Sequence, residues 1–363
     1  MNKSKRIFYL DVMRLMAIIG IIFCHASITY VVSDMGTANF YVSAFFDCFR
    51  DFCVPIFVML SGALLIGKRD SLITFFKKRL SRILIPFIFW AAISTIYSFI
   101  YLKHSIDIDN AIAIFSGHGG TMGVTFWFIW MIIIVYIGIF IINKVLEYGN
   151  SKIDGFDGKF IPVLALMSAI YIGMFQFRLL PAIFYDSLLM YYLSFVSYAI
   201  IGHFLVNANY LESFVKTDYL VIIFTVLSAI LYINYICSYV VPTSILNNHF
   251  TYLGYFNIHI LMISVSIFLM IKFMSYTEIS KKIEKSKYGD SIVLLSQYSY
   301  GIYLSHYLVL FNLKRFIMNY IDYASQNSII WIPLLVIITL ISSFIILWIL
   351  NKIPYLKKVT GAN

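Results

Sequence analysis

Ten apolar runs, most of them about 20 residues long, recur along this chain, and no feature constrains its fold more. About 20 apolar residues in a helix match the hydrocarbon thickness of a bilayer. The runs lie near residues 7–30, 40–66, 83–102, 122–142, 160–177, 187–206, 219–240, 256–274, 292–312 and 329–350. They are too long and unbroken for barrel strands. The balance of residue types agrees: 61% are hydrophobic and 12% charged, where a soluble domain is nearer half and a quarter. The expected fold is all-α, a polytopic helical membrane protein of about ten transmembrane helices, forming one membrane-embedded domain over 1–363. Lys3, Lys5 and Arg6 resemble the start of a signal peptide, but Asp11 and Arg14 interrupt the apolar stretch, so a retained first span is expected.

Basic residues set the orientation. With the N-terminus cytoplasmic, 21 of the 27 Lys and Arg fall on inside segments. Only Lys103, Arg178, Lys314 and Arg315 fall outside, and Arg14 and Arg50 lie within spans. Both termini are therefore expected in the cytoplasm. A basic face beside anionic lipid accounts for the net charge of +10 without nucleic acid as partner. Cys24, Cys48, Cys53 and Cys237 all fall in spans. No Cys/His set has metal-binding spacing, so no metal is expected. The loop at 275–291 reads as a solvated or lipid-facing segment.

An ionisable residue inside hydrocarbon is a functional hypothesis by default. Arg14 and His25 both lie in the first run. Eleven residues at about 100° each make roughly three turns, so the two side chains share a helix face about 16 Å apart along the axis. Asp11 lies one turn before Arg14 and can pair with it. In the second run, Asp47, Arg50 and Asp51 are clustered, with Asp47 and Arg50 at i,i+3. Pro55 follows and is expected to bend that span. Arg79 and Arg82, beside Lys77 and Lys78, stand at the cytoplasmic mouth of the third run.

Several segments in order resemble one family. They are YLDVMRLMAIIGIIFCH with its R-x10-H spacing, FFDCFRDFCVPIFVMLSGALL, FFKKRLSRILIPFIFW, TFWFIWMIIIVYI and LSQYSYGIYLSHYLVL. The series is similar to the membrane acyltransferase-3 family, inner-membrane O-acyltransferases of bacterial surface glycans, from Tyr9 to about Leu310. Thr125 and Phe126 precede Trp127 where many relatives carry His-Leu, so that position is given no catalytic role.

The resemblance implies transfer of an acyl group, acetyl being the commonest, from cytoplasmic acyl-CoA (acetyl-CoA). The acceptor is a sugar hydroxyl on a surface polysaccharide or lipid-linked glycan, and the site is the bacterial inner (plasma) membrane. His25 is the candidate general base, since neutral imidazole takes a proton near neutral pH; the plainer reading is a core histidine. Arg14 is a candidate for binding the donor's pyrophosphate or thioester side, or for stabilising the oxyanion; the plainer reading is a structural pair with Asp11. Asp47 and Arg50 are candidates for orienting His25 or the acceptor, or for a self-satisfied ion pair. Arg79 and Arg82, with Lys78, are candidates for the phosphates of CoA, or else ordinary positive-inside anchors. His306 and Trp127 look family-like but carry less weight. His104, His118 and His249 are expected in outside loops. The alternative class is a proton-coupled transporter or exporter of a small solute or glycan; the lack of broken helices in matching halves speaks against it.

Overall fold

The computed structural model describes residues 6–33, 36–102, 108–117, 122–207, 215–240, 254–321 and 327–362. His104, His118 and His249 lie outside the described residues, as does Lys103. Among the described residues every regular element is helical. In chain order they are α1 (Phe8–Ser33), α2 (Ala38–Asp47), α3 (Phe49–Leu65), α4 (Leu72–Leu102), α5 (Ile108–Ser116), α6 (Trp127–Lys152), α7 (Phe156–Gln176) and α8 (Ile183–Asp186). Then come α9 (Leu188–Ser194), α10 (Val196–Asn207), α11 (Thr217–Val240), α12 (Ile258–Met274), α13 (Glu278–Glu284), α14 (Lys287–Met318), α15 (Ser328–Lys352) and a short 3-10 turn (Lys357–Val359).

Each of the ten expected spans falls on a helix or on two consecutive ones. Among the described residues eight segments are long and apolar enough to cross a membrane, and α12 with α13, bent by 79°, makes a ninth if the pair is one span. The expected span at 292–312 lies in α14, 32 residues long. It is the polar member of the set: Ser296, Ser299, Ser305 and His306 are all buried along it. Polar groups inside a membrane bundle mark function more often than stability.

Two local features differ from expectation. The second span is interrupted at Cys48, between α2 and α3, while α3 runs unbroken through Pro55. The Asp51 amide bonds back to the Cys48 carbonyl at 3.2 Å, an i→i−3 bond that tightens the turn there. The segment 275–291 is no open loop, because α13 forms within it, capped by the Thr277 hydroxyl on the Ser280 amide. α4 begins at Leu72, so Lys77 to Arg82 are helical.

The chain divides into two compact units. The first comprises residues 1–21, 48–69 and 138–296; the second comprises 22–47, 70–137 and 297–363. In the first unit, α3 packs on α10 and α12, α10 on α7, and α11 on α12. The α3–α10 crossing is close because both sides are small. A β-carbon at Gly62 would collide with the Ala199 carbonyl, and one at Gly202 with the backbone of Met59. Such crossings let membrane helices gain dispersion energy where lipid supplies no hydrophobic drive. Lys272 of α12 is buried rather than on a basic membrane face. Its ammonium donates to the Leu205 and Val206 carbonyls at 2.9 and 3.1 Å. These carbonyls belong to the last turn of α10, where a cation complements the helix dipole.

In the second unit, α2 packs on α15, and α4 on α5 and on the Lys357–Val359 turn. Phe87 meets Phe115, Phe126 and Trp130 edge to face. The Tyr300 hydroxyl donates to the Ile83 carbonyl at 2.7 Å, tying α14 to α4.

Candidate active site

In the second unit, α14 brings His306 to His25. Their ring centroids are 5.4 Å apart and tilted by 38°. The Tyr307 ring meets His25 edge-on at 5.3 Å. His25 is half-buried, whereas His306 is fully buried. Nδ1 of His306 lies 2.6 Å from the Tyr303 carbonyl and 3.2 Å from that of Ile302. Carbonyls only accept, so Nδ1 carries the proton and Nε2 holds the lone pair. That Nε2 is buried and meets no donor among the described residues. Buried acceptors are nearly always satisfied, so a bare one beside a second imidazole makes this pair a candidate functional site. Tyr303 is itself fixed, its hydroxyl donating to the Thr125 carbonyl.

His25 also lines a cavity of about 460 Å³, shared with Tyr307, Phe311, Lys314, Arg315 and Asn319. The Lys314 ammonium donates to the His25 carbonyl at 2.8 Å, fixing the backbone beneath the imidazole.

In the first unit, Asp11 is a hub. Arg6 grips its carboxylate with two bonds, Nε at 2.6 Å and Nη2 at 3.0 Å. Arg14 Nη1 donates to it at 3.1 Å, and the Ser296 hydroxyl at 2.7 Å. Arg14 donates to Ser296 as well, at 3.2 Å. Asp11 is buried, while the Arg14 side chain remains 28% exposed. The carboxylate thus fixes the position of the guanidinium.

The remaining candidates each have contacts of their own. Asp47 ends α2, is buried and accepts the Cys24 thiol at 3.4 Å, so it touches the residue adjoining His25. Arg50 opens α3 and donates to Asp51 at 3.3 Å; Asp51 also accepts the Tyr235 hydroxyl at 2.9 Å. On α4, Lys78 and Arg79 approach Asp70 at 3.5 and 3.7 Å. Arg79 lies over the Phe75 ring, and its Nε is buried without a hydrogen-bond partner among the described residues. Arg82 is exposed.

Three contributors carried little weight in the sequence. His306 stood out only through YGIYLSH, Lys314 counted as an outside charge, and Arg6 as an inside one. A polar ninth span among apolar ones was the available signal for His306.

Helices long and apolar enough to cross a membrane, with ionisable side chains among them, define an integral-membrane protein with a polar interior. Residues 7–348 match the family described as an acyltransferase domain. The chain belongs to that acyltransferase-3 family, and the protein is a membrane acyltransferase. No curated protein and no solved structure matches it.

Proposed function

We propose that the protein moves an acyl group, acetyl in the simplest case, from cytoplasmic acyl-CoA to a sugar hydroxyl of a surface or lipid-linked glycan in a bacterial plasma membrane. The observation that carries this reading is the half-buried His25 imidazole on the wall of a cavity of about 460 Å³, beside the bare Nε2 of His306.

The thioester donor supplies an activated carbonyl. His25 removes the proton of the attacking hydroxyl as the new C–O bond forms, and returns it to the departing sulfur as the C–S bond breaks. A base in this role needs one nitrogen bare and its other N–H held, so that the tautomer is fixed. His306 Nε2 is an acceptor suited to that N–H, which makes His306 a positioning residue. Asp47 steadies the same turn through Cys24. Arg14, positioned by Asp11 and Ser296, carries the charge that suits the negative groups of the donor. Arg50, bonded to Asp51 at 3.3 Å, is a candidate for orienting the acceptor. The buried Arg79 Nε, with Lys78 and Arg82, fits the phosphates of a CoA donor.

The test is the ester-linked acyl content of surface glycans, by NMR and mass spectrometry before and after mild base. Wild type and His25→Ala are compared in a deletion strain at matched membrane levels. Loss of a base-labile acyl group in the variant supports the reading; identical content refutes it. Arg82→Ala should raise the apparent requirement for acyl-CoA and leave that for acceptor unchanged; an unchanged donor requirement returns Arg82 to a topological role.

A further inference from the structure

Two adjacent cations, Lys314 and Arg315, line the cavity that His25 walls. By the charge pattern they are among only four basic residues on outside segments. Membrane topology gives no reason for cations there. Along α14, Tyr307, Phe311, Lys314 and Met318 fall at i, i+4, i+7 and i+11, so one stripe faces the cavity with two aromatic rings followed by an ammonium. Lys314 is half-buried and bonds to a neutral carbonyl at 2.8 Å. Such a bond holds the ammonium beside His25 at the cavity wall. Arg315 is exposed beside it, and its planar fork suits a carboxylate or phosphate.

We infer that this cavity is an acceptor subsite for an anionic saccharide. The negative group binds Lys314 and Arg315 by charge-assisted hydrogen bonds. The sugar ring lies against Tyr307 and Phe311, whose faces take its C–H edges. Asn319 serves a ring hydroxyl, and the hydroxyl to be acylated points at His25. The inference rests on the acyl-transfer reading, whose acceptor class it names. Phosphate-linked sugars and uronic acids share this chemistry.

The experiment measures binding to the full-length protein in lipid nanodiscs without donor. The probes are hexose 1-phosphates, hexuronic acids and methyl hexosides of the gluco, galacto and manno series, with inorganic phosphate alongside. At least one anionic sugar should bind roughly tenfold or more tighter than its neutral counterpart. Lys314→Met and Arg315→Gln should each remove most of that difference, and Lys314→Arg should keep it. Preference for the 1-phosphate alone assigns a phosphodiester-linked acceptor; preference for the uronic acid alone assigns an acidic polysaccharide. The inference is overturned by equal binding of neutral and anionic forms throughout, by charge-removing variants that bind as wild type does, or by inorganic phosphate binding as tightly as the sugar phosphate. Binding is read without turnover, so its failure is separate from that of the His25→Ala ester assay, which alone bears on acyl transfer.

Discussion

The His25 and His306 rings stand 5.4 Å apart, and the nitrogen that His306 leaves uncommitted is Nε2, because Nδ1 is taken by the Tyr303 carbonyl at 2.6 Å. On the acyl-transfer reading, a histidine held in this way positions its neighbour rather than touching substrate. His306→Ala should lower turnover by about a hundredfold, the scale of a misplaced catalytic group, and leave the apparent requirement for acyl-CoA unchanged. His306→Gln, whose side-chain oxygen also accepts, should recover part of the loss. A purely structural role predicts otherwise: parallel loss of folded protein and no difference between Ala and Gln. Turnover per unit of folded protein in nanodiscs distinguishes the two.

Asp11 serves Arg6, Arg14 and Ser296 at once. Removing the carboxylate leaves two guanidiniums without their shared acceptor. Both are partly exposed, so water offsets some of the loss. Asp11→Ala should therefore destabilise by on the order of 2 kcal/mol, read as a lower unfolding midpoint in detergent. Ser296→Ala combined with Asp11→Asn should cost less than the sum of the single changes, because they share one network. Strict additivity would mean that Ser296 merely fills space.

The helical architecture was legible because long apolar runs have one solution in lipid, and each expected span meets a helix. Arg14 and Asp11 were legible from i,i+3 spacing. His306 was not, since the contact with His25 joins residues 281 positions apart and nothing local announces it. The same holds for Lys314, which reaches a backbone carbonyl of α1. Lys272 misleads for a related reason: a lysine near a span end reads as a topological charge, yet tertiary packing turns it inward onto the carbonyls that end α10. Sequence periodicity finds elements, and long-range pairing decides which polar residues they bring together.

The α3–α10 crossing gives a sharp packing test. Gly62→Ala places a methyl group where the Ala199 carbonyl sits, and backbone cannot swing aside as a side chain can. The helices must separate, at a cost of about 1–3 kcal/mol or more. Gly158 and Gly173 in α7 have open space where a β-carbon would go, so alanine there should be neutral or slightly stabilising. Monodisperse yield and unfolding midpoint in detergent check all three. Equal behaviour of Gly62→Ala and Gly173→Ala would show that the crossing is looser than its geometry.

The charge pattern predicts an orientation, and two exposed helix positions test it. Asp109 lies on α5 and Lys282 on α13, both at the surface. Cys24, Cys48 and Cys53 are buried, while Cys237 is exposed. In a Cys237→Ser background a membrane-impermeant maleimide therefore has little else to reach. With the termini cytoplasmic, Asp109→Cys should label in intact cells and Lys282→Cys only after permeabilisation. The reverse pattern would invert the protein. It would also put the His25 end of α1 toward the cytoplasm, so that the hydroxyl acceptor, rather than the acyl donor, would have to cross the membrane to meet the base.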